Sequence, residues 1–184
     1  MKTVLITGSN GGIGRATAEI MDSNGWNVQG VDKGDAMPHI MLENWRALVN
    51  CAGVAEGDMM WVNYQLTVEW CQRALVGMAR GGHIVNVGSA CALEGAPLAP
   101  GSWPYVASKY AVHGFTRAFA VEAAPRNIKV NCVAPEGVNT DMYNRYQKAI
   151  PAPLQPIDVA KVIFEMCNTE QTGQVIPVYG TLHR

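Results

Sequence analysis

Tyr105 and Lys109 are the two residues whose types and spacing most directly suggest chemistry. They lie four positions apart, so at the start of a helix both side chains would project from one face. A free phenol has a pKa of about 10, which is too high for general acid–base work at neutral pH. Because a nearby ammonium favours the phenolate, we expect Lys109 to lower the pKa of Tyr105. The spacing alone also fits a solvated helix start, so the neighbouring residues must decide.

Three more polar residues follow or adjoin predicted strands. Ser89 ends the apolar run 84–89, where its hydroxyl could hold a substrate oxygen beside Tyr105. Asn50 ends another apolar run, and Asn63 lies in the helix predicted to follow it. The carboxyl ends of parallel strands meet at one edge of a sheet, and such sheets bind ligands there. These residues are therefore candidates for a single site.

A glycine-rich segment, residues 7–14, joins the first predicted strand to the first predicted helix. Glycines permit a tight turn and let backbone N–H groups approach a pyrophosphate, and the helix N-terminus adds a partial positive charge. A glycine loop by itself is a weak signal, but the order of strand, loop and helix strengthens it. The segment predicts a dinucleotide site.

Asp32, at the end of the second predicted strand, bears on the choice of dinucleotide. A carboxylate there can accept hydrogen bonds from an adenosine ribose and repel a 2′-phosphate, which favours NAD over NADP. Lys33 and Arg15 could reduce that repulsion, so NADP stays possible. The alternative is a solvated aspartate in a turn with Gly34.

The elements that must position these residues alternate between apolar strands and helices. This alternation predicts an α/β fold in one domain, residues 1–184, with a doubly wound parallel sheet of the Rossmann type. The crossover after the second strand is predicted to be reduced, with room only for a short third strand at 39–42. The predicted strands are 3–7, 26–31, 46–51, 83–87, 128–133 and 174–178, and the predicted helices are 14–23, 58–79, 105–124 and 157–168.

Composition excludes several classes of protein. Of 184 residues 48% are hydrophobic, which is too apolar for a disordered chain, and the net charge of −1 argues against nucleic acid or a membrane surface as the main partner. No run of about 20 apolar residues exists to span a bilayer, and the N-terminal apolar run is too short for a signal peptide. The five widely spaced cysteines form no CxxC motif. We therefore predict no metal site and a cytoplasmic location with reduced thiols.

In this order along the chain, the motifs resemble the short-chain dehydrogenase/reductase family. The pattern TGxxxGxG of that family is similar to residues 7–14, its NNAG segment to residues 50–53 with one change, and its YxASK motif to residues 105–109. The resemblance covers nearly the whole chain. It extends to Asn63, Ser89, the loop 135–140 and the closing strand 172–176.

The resemblance implies roles for individual residues. Tyr105 would be the proton donor in reduction and the acceptor in oxidation, and Lys109 would lower its pKa and hold the nicotinamide ribose. Ser89 would orient the substrate carbonyl, and Asn63 would help to hold a water that links Lys109 to solvent. The cofactor-binding residues implied are Gly8, Asn10, Gly11, Gly12, Ile13, Gly14, Asp32, Lys33, Asn50, Ala52, Gly53, Tyr105, Lys109, Pro135, Gly137, Val138 and Thr140.

The chain departs from the family pattern in three places. The stretch between Asp32 and Asn50 is short, and the acid that usually contacts adenine has no match there. Loss of a covering helix would expose apolar surface or demand a partner. Glu136 stands where the family prefers glycine, which would place a negative charge near the nicotinamide. The substrate loop, 142–156, is short, so we expect an open, shallow pocket.

These observations favour an oxidoreductase that transfers a hydride between NAD(H) and a small secondary alcohol or ketone, with Tyr105 as the general acid and base. One alternative is an NADPH-dependent carbonyl reductase, and another is a catalytically silent dinucleotide-binding regulator. We also expect a homodimer or homotetramer, because members of the family usually associate through their long helices. His113, on the same predicted helix as Tyr105, is expected to be buried or at an interface.

Overall fold

Six parallel strands form one sheet in the computed structural model, which describes residues 1–34, 45–147 and 150–180. The spatial order of the strands is β2-β1-β3-β4-β5-β6. The prediction of a doubly wound α/β sheet is confirmed. The strands are β1 (Thr3–Thr7), β2 (Asn27–Val31), β3 (Trp45–Asn50), β4 (His83–Val87), β5 (Lys129–Pro135) and β6 (Val175–Val178).

Helices cover both faces of the sheet. The helices are α1 (Gly12–Ser23), α2 (Leu66–Gly77), α3 (Trp103–Ala123), α4 (Asp141–Tyr146) and α5 (Pro156–Met166), with a turn of π-helix (Met60–Gln65) before α2. Helices α1 and α5 pack together on one face, and α2 and α3 lie on the other. The alternation along β1 shows this: Val4 and Ile6 pack with α1 and α5, whereas Leu5 packs with α2 and α3. Strands buried on both faces explain the continuous apolar runs in the sequence.

Strand register brings the ends of β1, β3, β4 and β5 to a common edge. Thr7 pairs with Asn50, Asn50 pairs with Asn86, and Val87 pairs with Val133. The segments that leave these strands therefore start side by side. This edge is where the candidate residues were expected to meet.

Two helices differ from the sequence-based prediction. The helix predicted over 58–79 is helical without a break from residue 59 to Gly77, but Met60–Gln65 form a turn of π-helix that runs directly into α2. Helix α4 was not predicted; its N-cap is Thr140, whose hydroxyl accepts the Tyr143 N–H at 3.3 Å. The third strand predicted at 39–42, and the crossover around it, lie outside the described residues.

Three absences hold for residues 1–34, 45–147 and 150–180 alone. In these ranges no helix has the length and apolar character needed to cross a membrane. No group of three or more histidine, cysteine, aspartate or glutamate side chains is arranged to hold a metal ion there. The five cysteines, all within these ranges, are free thiols.

Candidate active site

Tyr105 and Lys109 lie on one face of α3 in its first turns. Pro104 occupies the start of the helix, where its missing N–H costs nothing. Lys109 is buried; its Nζ donates to the Val87 carbonyl at 2.9 Å and lies 5.7 Å from the centroid of the Tyr105 ring. The bond to Val87 anchors α3 to the end of β4. The predicted pair therefore stands at the carboxyl edge of the sheet.

Asn63 is buried in the π-helical turn, and every hydrogen-bonding group of its side chain is engaged. Its Oδ1 accepts the Val54 N–H at 2.7 Å, and its Nδ2 donates to the Val54 carbonyl and the Ser108 hydroxyl, both at 2.9 Å. Ser108 in turn donates to the Tyr105 carbonyl at 2.7 Å. Asn63 thus ties the loop after β3 to the first turn of α3. The water that the resemblance implies at Asn63 stays a prediction.

Ser89 follows β4 and faces the same space. Its hydroxyl is in hydrogen-bonding reach of the Tyr105 phenol and also accepts the Cys91 N–H at 3.4 Å. Gly53, in the segment after β3, lies beside two of these side chains. A Cβ there would lie 3.3 Å from the Asn63 Oδ1 and 3.6 Å from the Lys109 Nζ. All four predicted catalytic residues are therefore gathered around one point.

The expected lowering of the Tyr105 pKa is wrong for the protein as described. Burial, with a further contribution from Cys91 and against an opposing effect of the Ser89 hydroxyl, raises the pKa of Tyr105 to about 12. Burial also lowers the pKa of Lys109. Desolvation penalises the charged form of each group and is the largest cause of both shifts. Tyr105 is consequently protonated at neutral pH, which is the form that a proton donor needs.

The glycine loop makes backbone contacts that side chains would prevent. Gly8 has φ +67°, and a Cβ on it would lie 2.7 Å from the Ala52 nitrogen. A Cβ on Gly14 would overlap the Gly8 carbonyl oxygen. A Cβ on Gly12 would lie 2.6 Å from the Cγ2 of Thr140. The loop therefore touches both the segment after β3 and the segment after β5, which were predicted to share a cofactor.

Asp32 lies next to this loop, as predicted. Its carboxylate accepts the Asn10 N–H at 2.8 Å and the Lys33 N–H at 2.7 Å. Arg15 donates to the Asn10 carbonyl at 2.9 Å. The Asp32 carboxylate thus holds the glycine loop through Asn10, and the Arg15 guanidinium bonds to the same residue.

Four other residues have side chains that bond or pack elsewhere in the fold. The Asn50 side chain donates to the Asn86 Oδ1 at 2.9 Å, toward α2 and α3, so only its backbone faces the edge. Val138 is buried in the core beside α5, and Ile13 packs against that core. The Glu136 carboxylate accepts the Gly180 N–H at 3.1 Å, so it secures the segment after β6.

Sequence reasoning missed several residues that build the site. Ser108 links Asn63 to Tyr105, and Thr7 accepts the Ala52 N–H at 3.3 Å through its hydroxyl. His113 is buried, as expected, but it also contacts the Ser89 segment directly. The serine inside Tyr105–Lys109 was visible in the sequence. Nothing in the spacing indicated the contact made by His113.

Comparison with known proteins identifies the class. A family model described as short chain dehydrogenase matches residues 43–151, which is more than half of the chain. Protein FixR from Bradyrhizobium diazoefficiens is 30% identical over 243 aligned positions that cover 99% of this chain and 87% of FixR. The alignment is longer than the chain, so FixR has internal segments that this chain lacks.

Two further likenesses agree. The 3-oxoacyl-(acyl-carrier-protein) reductase FabG from Thermotoga maritima is 34% identical, with 85% of this chain and 64% of FabG covered. A solved 3-alpha-hydroxysteroid dehydrogenase from Pseudomonas sp. B-0831, complexed with NADH, matches with a TM-score of 0.80 and 25% identity, covering 96% of this chain and 95% of that one. The chain belongs to the short-chain dehydrogenase family, whose members are oxidoreductases that bind nicotinamide dinucleotides.

Proposed function

We propose that the protein interconverts a secondary alcohol and a ketone with NAD(H), and that Tyr105 is the general acid and base. The observation that carries the proposal is the placement of the Ser89 hydroxyl against the Tyr105 phenol, with the buried Lys109 ammonium beside them. A substrate oxygen between Ser89 and Tyr105 would meet two hydroxyl groups. That arrangement suits a carbonyl that becomes an alcohol.

The residues at the sheet edge fit a dinucleotide. A Cβ at Gly8, Gly12 or Gly14 would collide with neighbouring protein atoms, so glycine lets the loop turn tightly there, and α1 begins directly behind it with its N-terminal N–H groups. Asp32 stands at the end of β2, where an adenosine ribose would lie. Thr140 and the backbone of residues 135–140 would hold the nicotinamide end. When bound, the cofactor supplies the hydride.

The side chains of this chain would do the rest of the reaction. Ser89 donates a hydrogen bond to the substrate oxygen, which polarises the carbonyl and fixes its position. Tyr105 delivers its proton to that oxygen as charge develops there, and takes it back in the oxidation direction. Lys109 stabilises the phenolate that remains, since an ammonium nearby favours it. Asn63 holds the first turn of α3 in place through Ser108.

Asp32 supports NAD over NADP. A 2′-phosphate on the ribose would approach the carboxylate, and like charges repel. Arg15, bonded to Asn10 beside it, supports the alternative of NADPH-dependent carbonyl reduction. In this proposal the choice between NAD and NADP depends on Asp32 and Arg15, so it can be tested without changing the catalytic residues.

Two further parts of the proposal concern substrate and assembly. The exposed side chains of Leu98 and Trp103, in the stretch between Ser89 and Tyr105, favour an apolar substrate. A ketone substrate is consistent with the FabG relative, which is a 3-oxoacyl-(acyl-carrier-protein) reductase. Val76 on α2 and Val121 on α3 are 81% and 75% exposed. Exposed apolar residues on α2 and α3 support a homodimer or homotetramer in which these helices pair between protomers. We place this assembly in the cytoplasm as part of the same proposal.

The test is oxidation of NADH and, separately, NADPH by the wild-type protein with a panel of ketones that includes apolar ketones and β-ketoacyl thioesters. We expect turnover, with a kcat/KM for NADH about tenfold or more above that for NADPH. Faster turnover with NADPH would support the carbonyl reductase alternative. NADH binding without any turnover across the panel would contradict the proposal and support a silent regulator.

A further inference from the structure

His113 bridges the two ends of the short segment that contains Ser89. The Ser89 N–H donates to the His113 Nε2 at 3.3 Å, and the His113 Nδ1 lies 3.1 Å from the Ala92 carbonyl oxygen. A backbone N–H can only donate and a carbonyl can only accept. The ring is therefore neutral, with its hydrogen on Nδ1. One imidazole thus holds residues 89–92 by both ends.

The segment is shaped to admit this ring. A Cβ on Gly88 would overlap the His113 Nε2 and lie 2.7 Å from the Cys132 sulfur. Glycine at position 88 therefore lets the imidazole approach the backbone that leads into Ser89. The ring is 5% exposed, so water does not compete for its two hydrogen bonds.

Helix α3 connects this contact to the chemistry. It carries Tyr105 near its start and His113 two turns later. The helix thus supplies the proton donor from one position and fixes the backbone of Ser89 from another. A shift of the Ser89 backbone relative to α3 would require the bond to His113 to break.

We propose that His113 is a positioning residue, which sets the Ser89 hydroxyl against the Tyr105 phenol by holding the 89–92 backbone. This inference rests on the proposed function, because it assigns a role within the same site. His113 touches neither the glycine loop nor Asp32 in the described contacts, so it acts on the reaction geometry and leaves dinucleotide binding alone.

The surroundings keep the ring in the form that this role needs. Burial lowers the pKa of His113 to about 4, and the cations of Lys109 and Arg117 on the same helix act in the same direction. The bond to the Ala92 carbonyl opposes them. The groups packed on the ring from other elements, Cys132 of β5 and Ser89, are uncharged at neutral pH. The Nε2 acceptor is therefore present at neutral pH.

Two variants separate positioning from packing. His113→Leu keeps an apolar body of similar size and removes both hydrogen bonds. His113→Gln keeps an acceptor and a donor on one rigid amide, so it can bridge Ser89 and Ala92. We expect His113→Leu to lower kcat about tenfold or more with an unchanged Kd for NADH, and His113→Gln to restore kcat to within about threefold of wild type.

A double-mutant cycle with Ser89→Ala tests the route of the effect. If His113 acts through Ser89, His113→Leu costs little further kcat once the serine hydroxyl is gone. Equal losses of kcat in the presence and absence of that hydroxyl would overturn the proposal. So would a His113→Leu protein with wild-type kcat, or a His113→Gln protein as slow as His113→Leu.

A second measurement distinguishes failure of this inference from failure of the proposed function. If the wild-type protein turns over no ketone, the proposed function fails, and hydrogen exchange of the Ser89 amide decides the role of His113. Exchange at least about tenfold faster in His113→Leu than in wild type and His113→Gln supports the positioning contact. Equal exchange rates in all three proteins would contradict it.

Discussion

The two halves of the sheet edge are held together in different ways. Around Tyr105, buried side chains bond to one another and to backbone: Asn63 to Ser108 and Val54, and Lys109 to Val87. Around the glycine loop, the contacts are made mainly through backbone atoms of the loop: those of Gly8 and Gly14 pack closely, and those of Asn10 bond to the side chains of Asp32 and Arg15. A reacting carbonyl needs side chains at fixed positions, whereas a diphosphate needs a surface of N–H groups. We propose that the half of the sheet edge around Tyr105 serves the chemistry and the half around the glycine loop serves dinucleotide binding.

A buried polar ladder strengthens the half that carries Tyr105. Asn50 donates to Asn86 at 2.9 Å, and Asn86 donates to Thr116 on α3 at 3.0 Å. Hydrogen bonds between buried side chains are costly to break and favour a single arrangement, even though the Oδ1 of Asn50 has no partner among the described residues. The ladder therefore fixes α3 on β3 and β4, behind the catalytic residues.

The largest effect is expected from removing the cation of the catalytic half. Lys109→Met should lower turnover by about 10²-fold or more, because the phenolate of Tyr105 loses its nearest ammonium. Thermal stability should change little, since the removal of a buried charge offsets the loss of the hydrogen bond to the Val87 carbonyl. Steady-state kinetics and thermal unfolding measure the two changes. Lys161→Met, on the exposed side of α5, is the control, and a comparable loss of turnover there would undermine the assignment.

In the glycine loop, the expected effect is on folding. Gly14→Ala would place a Cβ against the Gly8 carbonyl oxygen, so we expect a loss of about 2 kcal/mol in the free energy of unfolding. Gly114→Ala in α3 is the matched control, because a Cβ there meets open space. That variant should gain about 0.5–1 kcal/mol, since alanine is the better helix former. Urea unfolding of both proteins measures the difference, and equal stabilities would refute the close contact.

The pH dependence of stability tests the buried histidine of the catalytic half. The pKa of His113 is about 4 in the folded protein and about 6.5 when unfolded, so between these values the unfolded chain binds more protons. The stability it contributes is present above about pH 6.5 and is lost as the pH falls toward 4. Between about pH 7 and pH 4.5, wild type should lose about 2 kcal/mol more than His113→Gln. Parallel stability curves for the two proteins would show that His113 titrates normally.

The smallest effect is expected at Asp32, in the half of the sheet edge that holds the glycine loop. Asp32→Asn removes the charge and keeps one acceptor oxygen, so it can accept only one of the Asn10 and Lys33 N–H groups. We expect the Kd for NADPH to fall relative to the Kd for NADH by about tenfold, which corresponds to about 1.4 kcal/mol of repulsion. Fluorescence titration measures both constants. An unchanged ratio would assign the choice of dinucleotide to other residues.

The sequence was sufficient for the parts that depend on pattern. Apolar runs of β-branched residues located the six strands to within about two residues, and the order of motifs placed Asn63, Ser89, Tyr105 and Lys109 in one site. The strands rest on local spacing, and the common edge rests on the rule that carboxyl ends of parallel strands meet, whereas the place of Asn63 in the site rests on the resemblance to the family. Local spacing is a property of the printed chain.

The parts that failed depend on solvation and on contacts between distant segments. The pKa of Tyr105 was expected to fall, but the sequence does not show how deeply the phenol is buried. The Asn50 side chain points toward α2 and α3, and His113 bridges to Ser89. Both contacts depend on how the strands and α3 pack. The π-helical turn before α2 has no composition signal of its own, and helix α4 was hidden in a segment with little apolar periodicity.

The measurement that most directly tests the division between binding and chemistry is a comparison of Tyr105→Phe with wild type. Tyr110→Phe, the same change on the outer face of the same helix, is the control. We predict that Tyr105→Phe binds NADH with the wild-type Kd and reduces ketone at least about 10²-fold more slowly, while Tyr110→Phe keeps both values. Wild-type turnover in Tyr105→Phe would contradict the assignment of Tyr105 as the proton donor.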